Sequence, residues 1–339
     1  MKKIVFIVLP ALVALLLCGA AQAGYLNNSI SETYVPVTGT GWNAYMGGFD
    51  YAANGNIIAY AGNDVVEVSG SGSVSLYSTS TTLASSFLKR DPVSGKIYFG
   101  ESSTGTINVM NSDGSDAHLL TALTNNYDMA IDSTGRLLVS AGSLDWSSTN
   151  LYSIDPLSGS AYMFGSVSGP AGPLAVGADG ALYYGTATSD WSATGTQSIL
   201  SWSSDLLDQA IGGSASLSAS NATVVVSGTD NVGSMTFDAA GNLYYSTSQG
   251  FPASIWKVSD GSQSLLTTAN ASQGYYWLTT LRYNEATGLL GVNVGGVYDT
   301  EGNPVGLVAT TETPEPSALV ALASLAGLVA ARRRRRVGL

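Results

Sequence analysis

Six times along the chain a short apolar stretch runs into a turn that ends in glycine, and a second apolar or aromatic stretch follows. The first copy is Phe49-Asp50 to Gly55 with Asn56-Ile57-Ile58. The next is Asp91 to Gly95 with Ile97-Tyr98-Phe99, followed by Ile131 to Gly135 with Leu137-Leu138. The later copies are Val176 to Gly180 with Leu182-Tyr183-Tyr184, Phe237 to Gly241 with Leu243-Tyr244-Tyr245, and Tyr283 to Gly288 with Leu289-Leu290. The glycines are spaced by 40, 40, 45, 61 and 47 residues. Glycine is suited to the last position of a short hairpin turn, where the backbone turns left-handed. Asp or Asn earlier in the turn bonds the backbone. A third strand entering a turn recurs at Val65 to Gly70, Ile107 to Gly114, Leu151 to Gly159 and Ile255 to Gly261, and a fourth follows at Ala161 to Phe164. Four strands in roughly 40–45 residues is the period of a propeller blade. The pattern predicts an all-β chain forming a six-bladed β-propeller over 44–309, with a seven-bladed propeller or a β-helix as alternatives.

The repeats resemble those of the broad lactonase-like and NHL-like propeller group. Residues 24–43 are expected to be an N-terminal extension or a closing strand. The long fourth interval holds an insertion, Ser203 to Asn231, which reads as a loop plus an outer strand around Thr223 to Val226. No long amphipathic helix is evident.

The two ends differ from the middle. Lys2 and Lys3 precede an apolar run from Ile4 to Leu17, and Ala21-Gln22-Ala23 offers a cleavage site before Gly24. That order is a secretory signal peptide over 1–23. At the other end a linker, 310–313, leads into Pro314-Glu315-Pro316-Ser317. The apolar run Ala318 to Ala331 follows, then Arg332, Arg333, Arg334, Arg335 and Arg336. That apolar run has 14 residues, short for a full span of about 20, but a basic cluster behind it can stop transfer at the inner leaflet. Motif, short apolar helix and terminal arginines over 314–339 resemble the PEP-CTERM sorting signal. The resemblance implies signal peptidase and an exosortase as processing partners and transient anchoring in the inner membrane. It further implies delivery to the cell surface or an exopolysaccharide matrix of a Gram-negative bacterium.

Charge sharpens the picture. Between 24 and 313 six basic residues face 23 acidic ones, a net of −17, against −11 for the whole chain. Nucleic acid and anionic lipid surfaces are thereby disfavoured as partners. The only cysteine, Cys18, falls in the signal segment, so disulfides and thiolate metal sites are not expected beyond it. The only histidine, His118, lies in an apparent outer strand, so neither a zinc centre nor a Ser-His-Asp triad is expected. No phosphate-binding or dinucleotide motif is present. No catalytic residue, metal ligand or cofactor is assigned. Asn111 to Asp116 resembles a Ca²⁺ loop but lacks the closing Glu, and a solvated turn is the plainer reading.

One match exceeds this background. Asp145-Trp146-Ser147 and Asp190-Trp191-Ser192 occupy the same place in neighbouring repeats, each Asp 10 residues after its repeat glycine. Both fall between second and third strands. Trp faces stack on sugar rings and Asp accepts from sugar hydroxyls, so Asp145, Trp146, Asp190 and Trp191 form a candidate patch for a neutral polysaccharide. Repeat duplication with both rings packed between blades would leave the same match. The sequence therefore points to an exported glycan- or protein-binding module without enzymatic activity. The alternative is an extracellular polysaccharide hydrolase or lyase using carboxylates in the propeller channel, which needs two or more acids converging at one mouth.

Overall fold

The computed structural model describes residues 26, 32–37, 48–69, 72–78, 85–101, 104–190, 193–247, 252–270, 277–295 and 306–312. The signal segment 1–23, the motif Pro314 to Ser317, the arginines Arg332 to Arg336, and Trp191 lie outside these residues. Among the described residues twenty-four strands form six four-stranded sheets. The first four are β2–β5 (Phe49–Tyr51, Ile57–Ala61, Asp64–Ser69, Gly72–Ser78), β6–β9 (Ser85–Arg90, Ile97–Glu101, Thr106–Met110, His118–Ala122), β10–β13 (Asn126–Ile131, Leu137–Gly142, Ser148–Ile154, Ala161–Ser168) and β14–β17 (Leu174–Val176, Leu182–Gly185, Gln197–Trp202, Thr223–Thr229). The fifth is β18–β21 (Val232–Phe237, Leu243–Thr247, Ser254–Ser259, Ser262–Thr268). The sixth joins β22–β24 (Trp277–Asn284, Leu289–Gly295, Gly306–Glu312) to β1 (Glu32–Val37), so a strand from the start of the chain completes the last sheet. The innermost strands touch in chain order and β22 returns to β2, closing the ring. The fold is an all-β propeller. Pairings between named strands are antiparallel, which a parallel β-helix would not give.

The innermost strands show why this sequence closes a ring. Phe49, Leu88, Met129, Leu174, Met235 and Leu281 occupy one repeat position, and each is at most 1% exposed. Strand side chains alternate in direction, so the residue after each turns to the central channel: Asp50, Lys89, Ala130, Ala175, Thr236 and Arg282. Burying one large apolar side chain is worth about 1.5–3 kcal/mol, and the layer is repeated at every sheet. The repeat glycines have φ between +73° and +84°, a region costly to any residue with a Cβ. Their turns lie at one end of the ring, with the third-to-fourth strand connections. Second-to-third connections and sheet-to-sheet connections lie at the other.

Polar side chains latch neighbouring sheets. Asp50 Oδ2 accepts from Arg90 N at 2.8 Å, and Asp128 Oδ2 accepts from Leu174 N at 3.1 Å. Ser140 Oγ donates to Gly172 O at 2.7 Å. Ser234 Oγ accepts from Leu281 N at 3.0 Å, and Asn284 Nδ2 donates to Gly55 O at 3.3 Å. Each satisfies a backbone group that burial would otherwise leave unpaired.

The insertion differs from the expected loop. It contains a helix, α1 (Ser204–Ile211), capped by the Ser203 side chain, which accepts from Leu206 N at 3.3 Å. Leu207 and Ala210 are buried, and α1 packs against β13. Leu217 then bonds the β13 backbone through Ser166 N and Phe164 O. The insertion thereby covers an edge strand, a common protection against unwanted pairing. An eight-residue helix carries too few periodic positions to stand out among Ser, Ala and Gly.

Candidate functional site

Two places on the ring hold chemistry. The first is the β11–β12 connection, Ser143 to Ser147, at the end of the ring opposite the repeat glycines. Asp145 Oδ1 accepts from Ser143 Oγ at 2.7 Å, Ser147 N at 3.1 Å and Ser147 Oγ at 2.8 Å. Those bonds, the Ser143 hydroxyl first, hold its carboxyl down at about 2, so it is an anion at any ordinary pH. Its Oδ2 has no hydrogen-bond partner among the described residues.

Trp146 closes this turn, its N–H donating to Ser143 O at 3.1 Å. Its φ is +59°, a conformation rarely taken by a bulky residue. The indole lies over Gly142, where a Cβ would meet the ring at 3.3 Å. Trp146 is nonetheless 47% exposed, and Leu144 beside it 82%. One face of the ring is thus covered and the side chain is not packed between blades. Asp190 lies in the corresponding β15–β16 connection, where its carbonyl accepts from Ala193 N at 3.0 Å. Trp191, its neighbour, lies outside the described residues, so the structure places three of the four candidate residues.

The second place is the channel. At the end carrying Asn126, the Tyr127 hydroxyl donates to Gly233 O at 3.2 Å, from the third sheet to the fifth. At the glycine-turn end the channel widens into a cavity of about 480 Å³ whose lining includes Asp50, Lys89, Arg90, Thr236 and Arg282. Arg282 is 4% exposed. Its Nη1 donates to Leu281 O at 2.8 Å and to Ser234 Oγ at 3.2 Å, its Nη2 lies 3.6 Å from Asp128 Oδ1, and its Nε has no partner among the described residues. Burial pushes the Lys89 amine down to about 8; the Arg282 charge acts in the same direction, while Asp128 and Asp50 oppose it. These channel residues are absent from the sequence expectation. The signal was available: Asp50, Lys89 and Arg282 share one position in the repeat register, visible once the turns are aligned on their first residues.

The remaining candidates are plain. His118 starts the outer strand β9 and is exposed, its Nδ1 2.7 Å from Asp116 O. Asp113, in the loop resembling a Ca²⁺ site, accepts from Ser115 N at 3.0 Å and Ser115 Oγ at 2.6 Å, which holds its carboxyl below the usual range. Among the described residues no three His, Cys, Asp or Glu side chains converge as a metal site.

The solved structures resembling this ring are themselves varied. A gluconolactonase from Xanthomonas campestris superposes with a TM-score of 0.55 at 15% identity, over 79% of this chain and 86% of that one. The calcium-binding protein regucalcin from Agrobacterium tumefaciens does so with 0.56 at 11%, over 83% and 96%. A chain of a nidogen–laminin complex gives 0.55 at 13%, over 71% and 85%. No protein-family model and no curated protein matches the chain. The likeness extends to the lactonase-like propellers at the level of fold. Enzyme and binding partner share that fold, so activity must be argued from the site.

Proposed function

We propose that this chain is an exported, non-enzymatic propeller of the cell surface or extracellular matrix that binds neutral polysaccharide through the loop carrying Asp145 and Trp146. The observation that carries the reading is Trp146, half exposed and held in a left-handed turn with its inner face on Gly142. An indole so fixed offers one apolar face at little ordering cost, and the free Oδ2 of Asp145 beside it can accept from a sugar hydroxyl. Strained backbone of this kind is concentrated at functional sites. The acidic charge disfavours acidic polymers and leaves neutral ones. Export by the 1–23 signal, processing at Pro314 to Ser317 by an exosortase, and transient anchoring by the tail bring the domain to such a polymer.

The hydrolase or lyase alternative draws less support. Asp50 and Asp128 face the channel, but Asp50 accepts from Tyr51 N and Arg90 N, and Asp128 from Met129 N and Leu174 N. Carboxylates tied to backbone N–H groups are structural latches before they are acid–base groups. Affinity electrophoresis tests the proposal. The purified protein should be retarded in gels containing a neutral glucan and not in gels containing an acidic polymer such as alginate. Equal mobility in all gels would end it.

A further inference from the structure

The distribution of positive charge is not that of a surface. Of the six basic residues between 24 and 313, three line the cavity at the glycine-turn end of the channel: Lys89, Arg90 and Arg282. A chain with so few cations has placed half of them around one interior space. Lys89 and Arg282 come from the same repeat position in the second and sixth sheets, which flank the first. Both therefore point into the channel, on either side of Asp50.

Glu285 also lines the cavity as an exposed carboxylate, but the more buried acidic groups near them are already occupied. Asp128 takes two backbone N–H groups and the Arg282 guanidinium. Asp50 takes two backbone N–H groups, Tyr51 N and Arg90 N. Asp238 accepts from Ala240 N, Asn242 N, Asn242 Nδ2 and the Tyr244 hydroxyl in its turn. Lys89 Nζ, by contrast, makes no hydrogen bond or ion pair among the described residues, and Arg282 Nε, in a side chain 5% exposed, has no acceptor. An unsatisfied donor on a buried cation such as Arg282 is costly, whereas Lys89 is only partly buried and presents an unpaired ammonium to the same space. An acceptor with negative charge would satisfy both, and a volume near 480 Å³ is within the range of small-ligand sites.

We propose that this cavity is a binding site for a compact oxyanion, a carboxylate or phosphate group, held by Lys89 and by Arg282. The ligand enters from the glycine-turn face, since Tyr127 crosses the channel at the other. Arg90 at the mouth adds to its attraction, and the Thr236 hydroxyl lies in the same ring. The site is on the face of the ring opposite Trp146, so it stands or falls independently of polysaccharide binding.

Isothermal titration calorimetry of the purified protein in low-chloride buffer at pH 7 tests it, with inorganic phosphate and acetate as separate titrants. Saturable one-to-one binding of at least one titrant is expected, and which one binds assigns the group. Lys89→Met removes a charge-assisted hydrogen bond and should weaken binding by roughly tenfold or more, while Lys96→Met, outside the cavity, should bind as the parent does. Thermal melts of Lys89→Met establish that it is folded. Saturable binding of neither titrant, or unchanged binding by folded Lys89→Met, would overturn the proposal.

Discussion

The Arg282 guanidinium reaches from the sixth sheet to the third, across the ring, where its Nη2 lies 3.6 Å from Asp128 Oδ1 and both side chains are buried. The pair is a cross-brace through the channel. Removing one partner leaves the other charge buried without compensation. Asp128→Ala should therefore cost about 3–5 kcal/mol in urea unfolding. Combining it with Arg282→Met should cost less than the two single changes added together. Strict additivity in the double-mutant cycle would show that the contact carries no coupling.

Lys89 gives a second, pH-dependent expectation. Its folded value is lowered to about 8 from 10.5, so the unfolded chain holds that proton more tightly. Stability from this group is full above pH 10.5, falls as pH drops towards 8, and is flat below. Chemical denaturation at pH 7, 8, 9 and 10 should show the parent gaining on Lys89→Met as pH rises through that window. A constant difference between the two would refute the lowered value.

The same amine should react early. Reductive methylation followed by peptide mass spectrometry should half-label Lys89 near pH 8, against about 10.4 for an ordinary lysine. Labelling of Lys89 only at the higher pH would show that the channel does not destabilise its charge.

The repeat was legible because each copy carries its own local signals: an apolar pair, an Asx residue and a glycine that alone tolerates a φ near +80°. The channel is legible only once the turns are aligned, because its chemistry is spread one residue per blade. Asp50, Lys89 and Arg282 are far apart in sequence, and only ring closure brings them together. Trp146 lies between these cases. Its match with Trp191 marked the loop, but exposure could not be read from a repeat that packing and binding would write alike. Helix α1 is not legible in the sequence because one turn of burial, Leu207 and Ala210, is below what periodicity can register.

Processing has its own test. Mass spectrometry of the exported protein should find Gly24 at the start and no Arg332 to Arg336 at the end. Replacing Pro314, Glu315 and Pro316 by alanine should retain the precursor in the inner membrane. A mature species that keeps the arginine tail in a host with a working exosortase would contradict the sorting assignment.

Trp146→Gly separates binding from packing most directly. Glycine takes φ near +60° without the roughly 1–2 kcal/mol left-handed strain of other residues, which offsets the greater entropy it gives the unfolded chain, so the melting temperature should match or exceed the parent's if the indole is not structural. Affinity for a neutral glucan, measured by electrophoretic retardation, should fall about tenfold or more, as for loss of a binding hot spot. The expected result is weakened binding in a protein at least as stable as the parent. A lowered melting temperature with retardation unchanged would contradict it, and would assign Trp146 to holding the loop.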